Sequence, residues 1–342
     1  MTVRDFGTFE GEGVVEATIR SEAGAEAKVI SWGAVLRDLV VPTRAGARRV
    51  VLGLGSLEDY VARSPHFGAI AGRFANRIRE GRFTLDGTTY QLPKNENGRT
   101  SLHGGGKGFG KRAWRLVEAR ADAVTLALRS PDGDCGYPGA LDVACTYTLD
   151  GATLRVALEA RADAPTPVNL CHHSYFTLDD ADDILDHEIE IDAAFRTPVD
   201  ADNVPTGEIL RVDGTPFDFR TPRPIRRMVE GERLRYDHNW ALARTRTEKS
   251  GIDEPLAFAA RVRSPRSGAT LEVWTTEPGL QFYDGWKTDL DVPGHDGRRY
   301  GPCSGFCLEP QHFPDSPNHP HFPGTILRPG AVYRQVTEYR FG

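Results

Sequence analysis

The chain has 342 residues, which at roughly 100–200 residues per domain allows one large all-β unit or two modest domains. Its 42 basic and 48 acidic side chains give a formal charge of −6 with no long run of either sign. That argues against a nucleic-acid groove or a polybasic membrane patch and points to a small, roughly neutral ligand. A hydrophobic share of 39% with 26% charged residues excludes disorder across the whole chain.

In chain order, Ser56-Leu57-Glu58-Asp59 has the form of a helix cap and predicts a short helix. Phe83 and Leu85 before Asp86-Gly87, and Tyr90 and Leu92 after it, predict a hairpin, because Asp-Gly is a favoured core of tight turns. Val124, Leu126 and Leu128 alternate at period two, as do Leu154, Val156 and Leu158 after Asp150-Gly151. Ile189 and Ile191 repeat the pattern, Pro224 to Leu234 reads as a second short helix, and Leu271 with Val273 is a further strand. More Asp-Gly turns fall at Asp132, Asp213, Asp284 and Asp296, and 36 glycines and 23 prolines punctuate the whole length. Turns of this kind join antiparallel strands, so the expectation is an all-β fold, a large antiparallel β-sandwich formed by residues 1–342 as a single unit.

Nothing approaches the ~20 apolar residues of a membrane span. Met1 to Gly13 holds Arg4, Asp5, Glu10 and Glu12 in place of a signal-peptide core, so a cytoplasmic location is expected, with no membrane partner. Five cysteines, odd in number and without a Cys-x-x-Cys pair, predict reduced structural thiols.

Polar residues gather in five unusual strings. Gly72-Arg73-Phe74-Ala75-Asn76-Arg77-Ile78 combines guanidinium forks with an amide, suited to gripping vicinal hydroxyls, although a turn with surface arginines fits equally well. Leu102-His103-Gly104-Gly105-Gly106 sets an imidazole on open backbone that a ligand can approach, and lacks the Gly-Lys-Ser/Thr of a phosphate loop. In Val168-Asn169-Leu170-Cys171-His172-His173-Ser174-Tyr175, a strand would point the two histidines to opposite faces, so only one serves a given cleft. Asp237-His238-Asn239-Trp240 and Gly279-Leu280-Gln281-Phe282-Tyr283 set amides and a carboxylate beside aromatic rings, as sugar sites do, though buried polar corners look the same. In Cys307-Leu308-Glu309-Pro310, Glu309 lies among uncharged neighbours, where a general base can be tuned by desolvation. His319-Pro320-His321 lacks a partner at ligand spacing, and no metal is expected.

Taken together these strings resemble the aldose 1-epimerase family, the galactose mutarotases, in order from about Gly33 to the C-terminus. Asp134-Cys135-Gly136-Tyr137-Pro138-Gly139 and Thr215-Pro216-Phe217-Asp218-Phe219 extend the likeness. The resemblance implies a galactose mutarotase-like supersandwich that interconverts the α and β anomers of a free monosaccharide such as galactose or glucose. Glu309 would be the general base and His173 the general acid, with His103 assisting. Asn76, Arg77, Asp237 and Gln281 would bind the sugar hydroxyls. No cofactor is implied, and the protein is expected to be a monomer or homodimer. Glu309 is expected to be ionised and His173 protonated near pH 7, each favoured by the other's field. The chain departs from the family at Cys171-His172, where Thr-Asn is usual, and at Trp286, where a small polar residue is common. A hexose-6-phosphate 1-epimerase and a non-catalytic carbohydrate-binding protein are the alternatives. The first would need extra cations aimed at a dianion, and Arg73 and Arg77 alone do not establish them.

Overall fold

The computed structural model describes residues 1–44 and 46–342. Its largest element is a ten-stranded sheet, whose order along the sheet is Arg115–Ala119, Ala123–Ser130, Leu141–Asp150, Thr153–Ala162, Tyr333–Phe341, Thr270–Thr275, Leu256–Arg263, Glu188–Ile191 and Arg223–Pro224. The short strand Thr247–Glu248 pairs alongside Leu256–Arg263, and all these pairings are antiparallel. The period-two residues lie here: Val124, Leu126 and Leu128, Leu154, Val156 and Leu158, Ile189 and Ile191, and Leu271 and Val273 are buried in one apolar cluster. Full burial of each such side chain is worth about 1.5–3 kcal/mol.

A five-stranded meander runs from Thr2–Phe9 through Glu12–Arg20, Glu26–Ile30 and Val35–Thr43 to Gly46–Arg49. A second five-stranded sheet, in the order Leu210–Arg211, Phe195–Thr197, Asp237–Ala241, Gly279–Tyr283 and Cys307–Gln311, carries most of the polar strings. Its apolar face meets the large sheet. Leu280, Phe282 and Leu308 join the cluster that holds Val156 and Tyr339, and Tyr339 donates its hydroxyl to Leu308 O at 3.2 Å. Sheet against sheet makes the fold an all-β sandwich.

The predicted turns divide. Asp86-Gly87 closes the hairpin between Arg82–Leu85 and Thr88–Gln91, with both residues at positive φ (49° and 82°). Asp150 ends one strand of a hairpin whose loop begins at Gly151. Asp284, by contrast, is fully buried and accepts from Arg233 Nη1 at 2.6 Å, so its Asp-Gly is a buried corner and not a hairpin tip.

Ser56 caps the helix Leu57–Arg63, accepting from Asp59 N–H at 3.2 Å, as its sequence predicts. The second predicted helix does not form. Met228–Val229 pairs with Glu232–Arg233 as a two-residue-loop hairpin whose corner residues, Glu230 and Gly231, stand at φ 52° and 87°. The start of the segment joins the large sheet instead, with Arg223–Pro224 pairing with Glu188–Ile189 and Ile225 N–H donating to His187 O at 2.9 Å, which spends on the sheet the backbone groups a helix would need.

Candidate active site

Strand pleating sets which side chains share a face. Glu309 pairs across the sheet with Gln281, and Gln281 with Asn239; one step along, Cys307 pairs with Tyr283 and Tyr283 with Asp237. Directly opposed residues project to the same side, so these six side chains form one polar face while Leu308, Leu280 and Phe282 point into the core. Over this face lie two short ladders. Cys171–His173 pairs with Ala69–Ala71, and Arg77–Ile78 with Ser101–Leu102.

The first ladder separates the adjacent histidines as expected. His172 is buried between Tyr147 and Tyr339, with ring centroids 5.7 and 5.3 Å away, and its Nε2 lies 2.9 Å from Ser174 Oγ. His173 faces the polar side, its Nε2 3.5 Å from Glu309 Oε2, with both residues at most 5% exposed. Tyr175 stacks on the His173 ring at 5.3 Å and 22°.

The second ladder places Asn76, Arg77 and His103. Asn76 and His103 both adopt left-handed backbone, at φ 60° and 50°, which is costly unless the surroundings impose it. Each holds the other: Asn76 N–H donates to His103 Nδ1 at 3.2 Å, and His103 N–H to Asn76 O at 3.0 Å. With Nδ1 accepting, the neutral imidazole carries its proton on Nε2. Arg77 donates twice to Glu96, at 2.7 and 2.8 Å, and its Nη2 stands 3.6 Å from Asp237. Asp237 accepts from Gln281 Nε2 at 2.7 Å. All seven residues anticipated from the motifs therefore belong to two linked groups on one face.

Two other expectations are corrected. Arg73 grips no ligand: it is buried and donates to Pro138 O, Gly139 O, Thr166 Oγ1 and Ser130 Oγ at 2.6–3.1 Å, tying its own segment to three others. Gly104 does not open backbone to a ligand, since a Cβ there would stand 2.0 Å from Gly72 O; its glycine is demanded by close chain packing.

The protonation expected for the pair is also overturned. Burial, aided by the neighbouring Asp237 charge, raises the Glu309 carboxyl to about 8, while burial lowers the His173 imidazole to about 4. Desolvation outweighs the mutual attraction that an ion pair would gain, so at neutral pH the single proton of the pair rests on Glu309 and His173 is neutral. The proton count equals that of the expected ion pair; its location differs.

Three further groups escaped the sequence reading. Glu96 anchors Arg77, and the cysteines taken as structural touch the pair: Cys171 Sγ is 3.6 Å from Glu309 Oε2, and Cys307 Sγ is 3.6 Å from His173 Nδ1. His66 lies 4.7 Å from His103, ring to ring. Short polar residues in a turn, such as His66 after Pro65, carry no periodic signal that would single them out.

Among the described residues, His173, Cys307 and Glu309 are the group whose metal-ligand atoms gather within 4.8 Å. Burial pushes the Cys307 thiol well above its ordinary range, so a cation would have to displace protons from both anionic donors. A cleft of about 920 Å³ opens elsewhere, over Trp114, Arg129 and Asp142, but no histidine lines it and its Arg129 is paired with Asp142 at 2.7 Å.

The aldose 1-epimerase family model matches residues 16–340. The galactose mutarotase of Rattus norvegicus is 44% identical over 335 residues, spanning 97% of this chain and 95% of the relative. The aldose 1-epimerase of Escherichia coli K12 is 37% identical over 338 residues, spanning 95% and 94%. Among solved structures, an aldose epimerase homologue from C. elegans superposes with a TM-score of 0.86 at 30% identity, covering 96% of this chain and 98% of that one. The galactose 1-epimerase of Lactobacillus acidophilus gives 0.82 at 26% identity, covering 100% and 98%. With its sandwich and these likenesses in hand, the chain belongs to the aldose 1-epimerase family.

Proposed function

We propose that this protein is an aldose 1-epimerase acting on free monosaccharides, with Glu309 and His173 as the proton-transferring pair. The observation that carries the reading is the buried Glu309–His173 contact at 3.5 Å, which holds one proton between two groups able to give or take it. Interconverting anomers requires removal of the C1 hydroxyl proton and protonation of the ring oxygen. As the sugar docks, the proton passes from Glu309 to His173. The Glu309 carboxylate then takes the C1 hydroxyl proton while His173 gives its proton to the ring oxygen, and the bond between C1 and the ring oxygen opens to an aldehyde. Rotation about C1–C2 exposes the other face of the carbonyl. On closure the ring-oxygen hydroxyl attacks it, returning its proton to His173, and Glu309 protonates the new C1 hydroxyl. Atoms and protons balance without a redox step.

His103 Nε2–H supports a sugar oxygen beside the pair, and Asn76, Arg77, Asp237 and Gln281 hold the ring hydroxyls. Gln281 Oε1 supports this role, being buried without a hydrogen-bond partner among the described residues and so able to accept from a hydroxyl. A phosphorylated sugar is disfavoured: Arg73 is committed to neighbouring chain segments and Arg77 to Glu96, so neither of the guanidiniums that the sequence offered is free for a dianion. The C-terminal strand Tyr333–Phe341, inserted between Thr153–Ala162 and Thr270–Thr275, supports reading residues 1–342 as one unit.

The test is the optical rotation of freshly dissolved α-D-galactose, α-D-glucose, L-arabinose and D-xylose, with and without protein. Faster relaxation to the same final rotation is expected, and Glu309→Gln and His173→Asn should fold yet lose roughly 10²- to 10⁴-fold in turnover. No acceleration with any sugar, from folded protein, would remove the assignment.

A further inference from the structure

The mechanism leaves His66 unused, although it shares the site. The turn that holds it follows the helix Leu57–Arg63: Phe67 N–H donates to Ser64 Oγ at 2.9 Å, and Ala69 N–H donates to His66 O at 3.1 Å. His66 itself stands at φ 75°, a left-handed conformation that fixes the direction of its side chain at some cost. Its ring lies 4.7 Å from His103 and 5.8 Å from His173, nearly parallel to the latter at 29°. The residue is half-buried, and among the described residues neither ring nitrogen has a hydrogen-bond partner. A rigidly held imidazole with both nitrogens unspent, packed on two residues of the acid–base machinery, is placed to meet substrate.

We propose that His66 is a specificity-determining residue that hydrogen-bonds the exocyclic substituent at C5 of the sugar. This rests on the acid–base reading above. With Glu309 at C1 and His173 at the ring oxygen, the next ring atom beyond His173 is C5. His66 packs against His173 and His103, with Lys111 the cation that acts on it, whereas Asp237 acts on Glu309 and His173. His66 therefore flanks the imidazole side of the site, where C5 comes to lie. Burial holds the ring neutral, down at about 3, so it offers one donor and one acceptor to a primary hydroxyl that can both give and take. A pentose, lacking that carbon, has no group to meet it.

Galactose and L-arabinose share their ring hydroxyls and differ at the C5 substituent, as do glucose and D-xylose. The experiment compares kcat/KM for both pairs by polarimetry in wild type, His66→Ala and His66→Gly. The glycine variant relieves the left-handed backbone and carries the test if the alanine variant fails to fold. The hexose-to-pentose ratio of kcat/KM is expected to fall about tenfold, the size of one neutral hydrogen bond, mainly through KM for the hexoses. A ratio within twofold of wild type overturns the proposal, whether the variants keep their rates or lose them equally on all four sugars. Wild-type protein that accelerates none of them sinks the epimerase reading itself, a distinct failure visible in the same assay.

Discussion

Replacing Glu309 by glutamine separates the demands of chemistry from those of folding. In the unfolded chain this carboxyl titrates near 4.5, whereas in the fold burial and the Asp237 charge hold it at about 8. Between those values the native state binds more protons than the unfolded one. The contribution to stability is therefore fully present below pH 4.5, declines as pH rises, and is lost above pH 8. A shift of this size corresponds to about 5 kcal/mol between the two extremes. Glutamine has the same shape and never ionises, so the variant lacks this slope. Urea midpoints of both proteins at pH 5, 7 and 9 should show near-equal stability at pH 5 and a variant more stable by about 4 kcal/mol at pH 9. Other titrating groups, His173 among them, are present in both proteins, so most of their pH dependence drops out of the difference. Polarimetric turnover should meanwhile fall at least about 100-fold at every pH. A stability difference that stays flat from pH 5 to pH 9 would refute the claim that Glu309 is buried in its protonated form.

The one-proton state of the pair also sets the pH profile. It is lost when a second proton joins His173 below about pH 4 and when Glu309 gives up its proton above about pH 8. The kcat/KM curve should be bell-shaped with limbs at those values, and Asp237→Asn, by removing the charge that raises Glu309, should move the alkaline limb to lower pH; an unmoved limb would deny that coupling. Arg73→Met should cost about 3 kcal/mol or more by leaving its buried acceptors unpaired, as read by guanidinium unfolding. The folded fraction should retain its KM for galactose, because Arg73 reaches no substrate; a raised KM would return Arg73 to the site.

Much of this protein is legible before folding. Alternation in Leu154-Arg155-Val156-Ala157-Leu158 declares a half-buried strand because side chains alternate by geometry alone, and the pleat by itself sends His172 and His173 to opposite faces, while the assembled sheets decide that His172 meets the core and His173 meets Glu309. Strings such as His103-Gly104-Gly105 and Leu308-Glu309-Pro310 single out residues of the candidate site, since each departs from ordinary patterning. Sequence could not decide what those residues do once packed. Arg73 and Arg77 lie four positions apart in one string, yet one ties loops together while the other joins Glu96 and Asp237, a choice made by partners distant in the chain. Pro224 to Leu234 forms no helix because its first residues pair with the edge of the large sheet and the rest folds back as a hairpin. The proton rests on Glu309 and not on His173 because desolvation is a property of the assembled surroundings, and only the two sheets and the loops over them exclude the water that would have stabilised the ion pair.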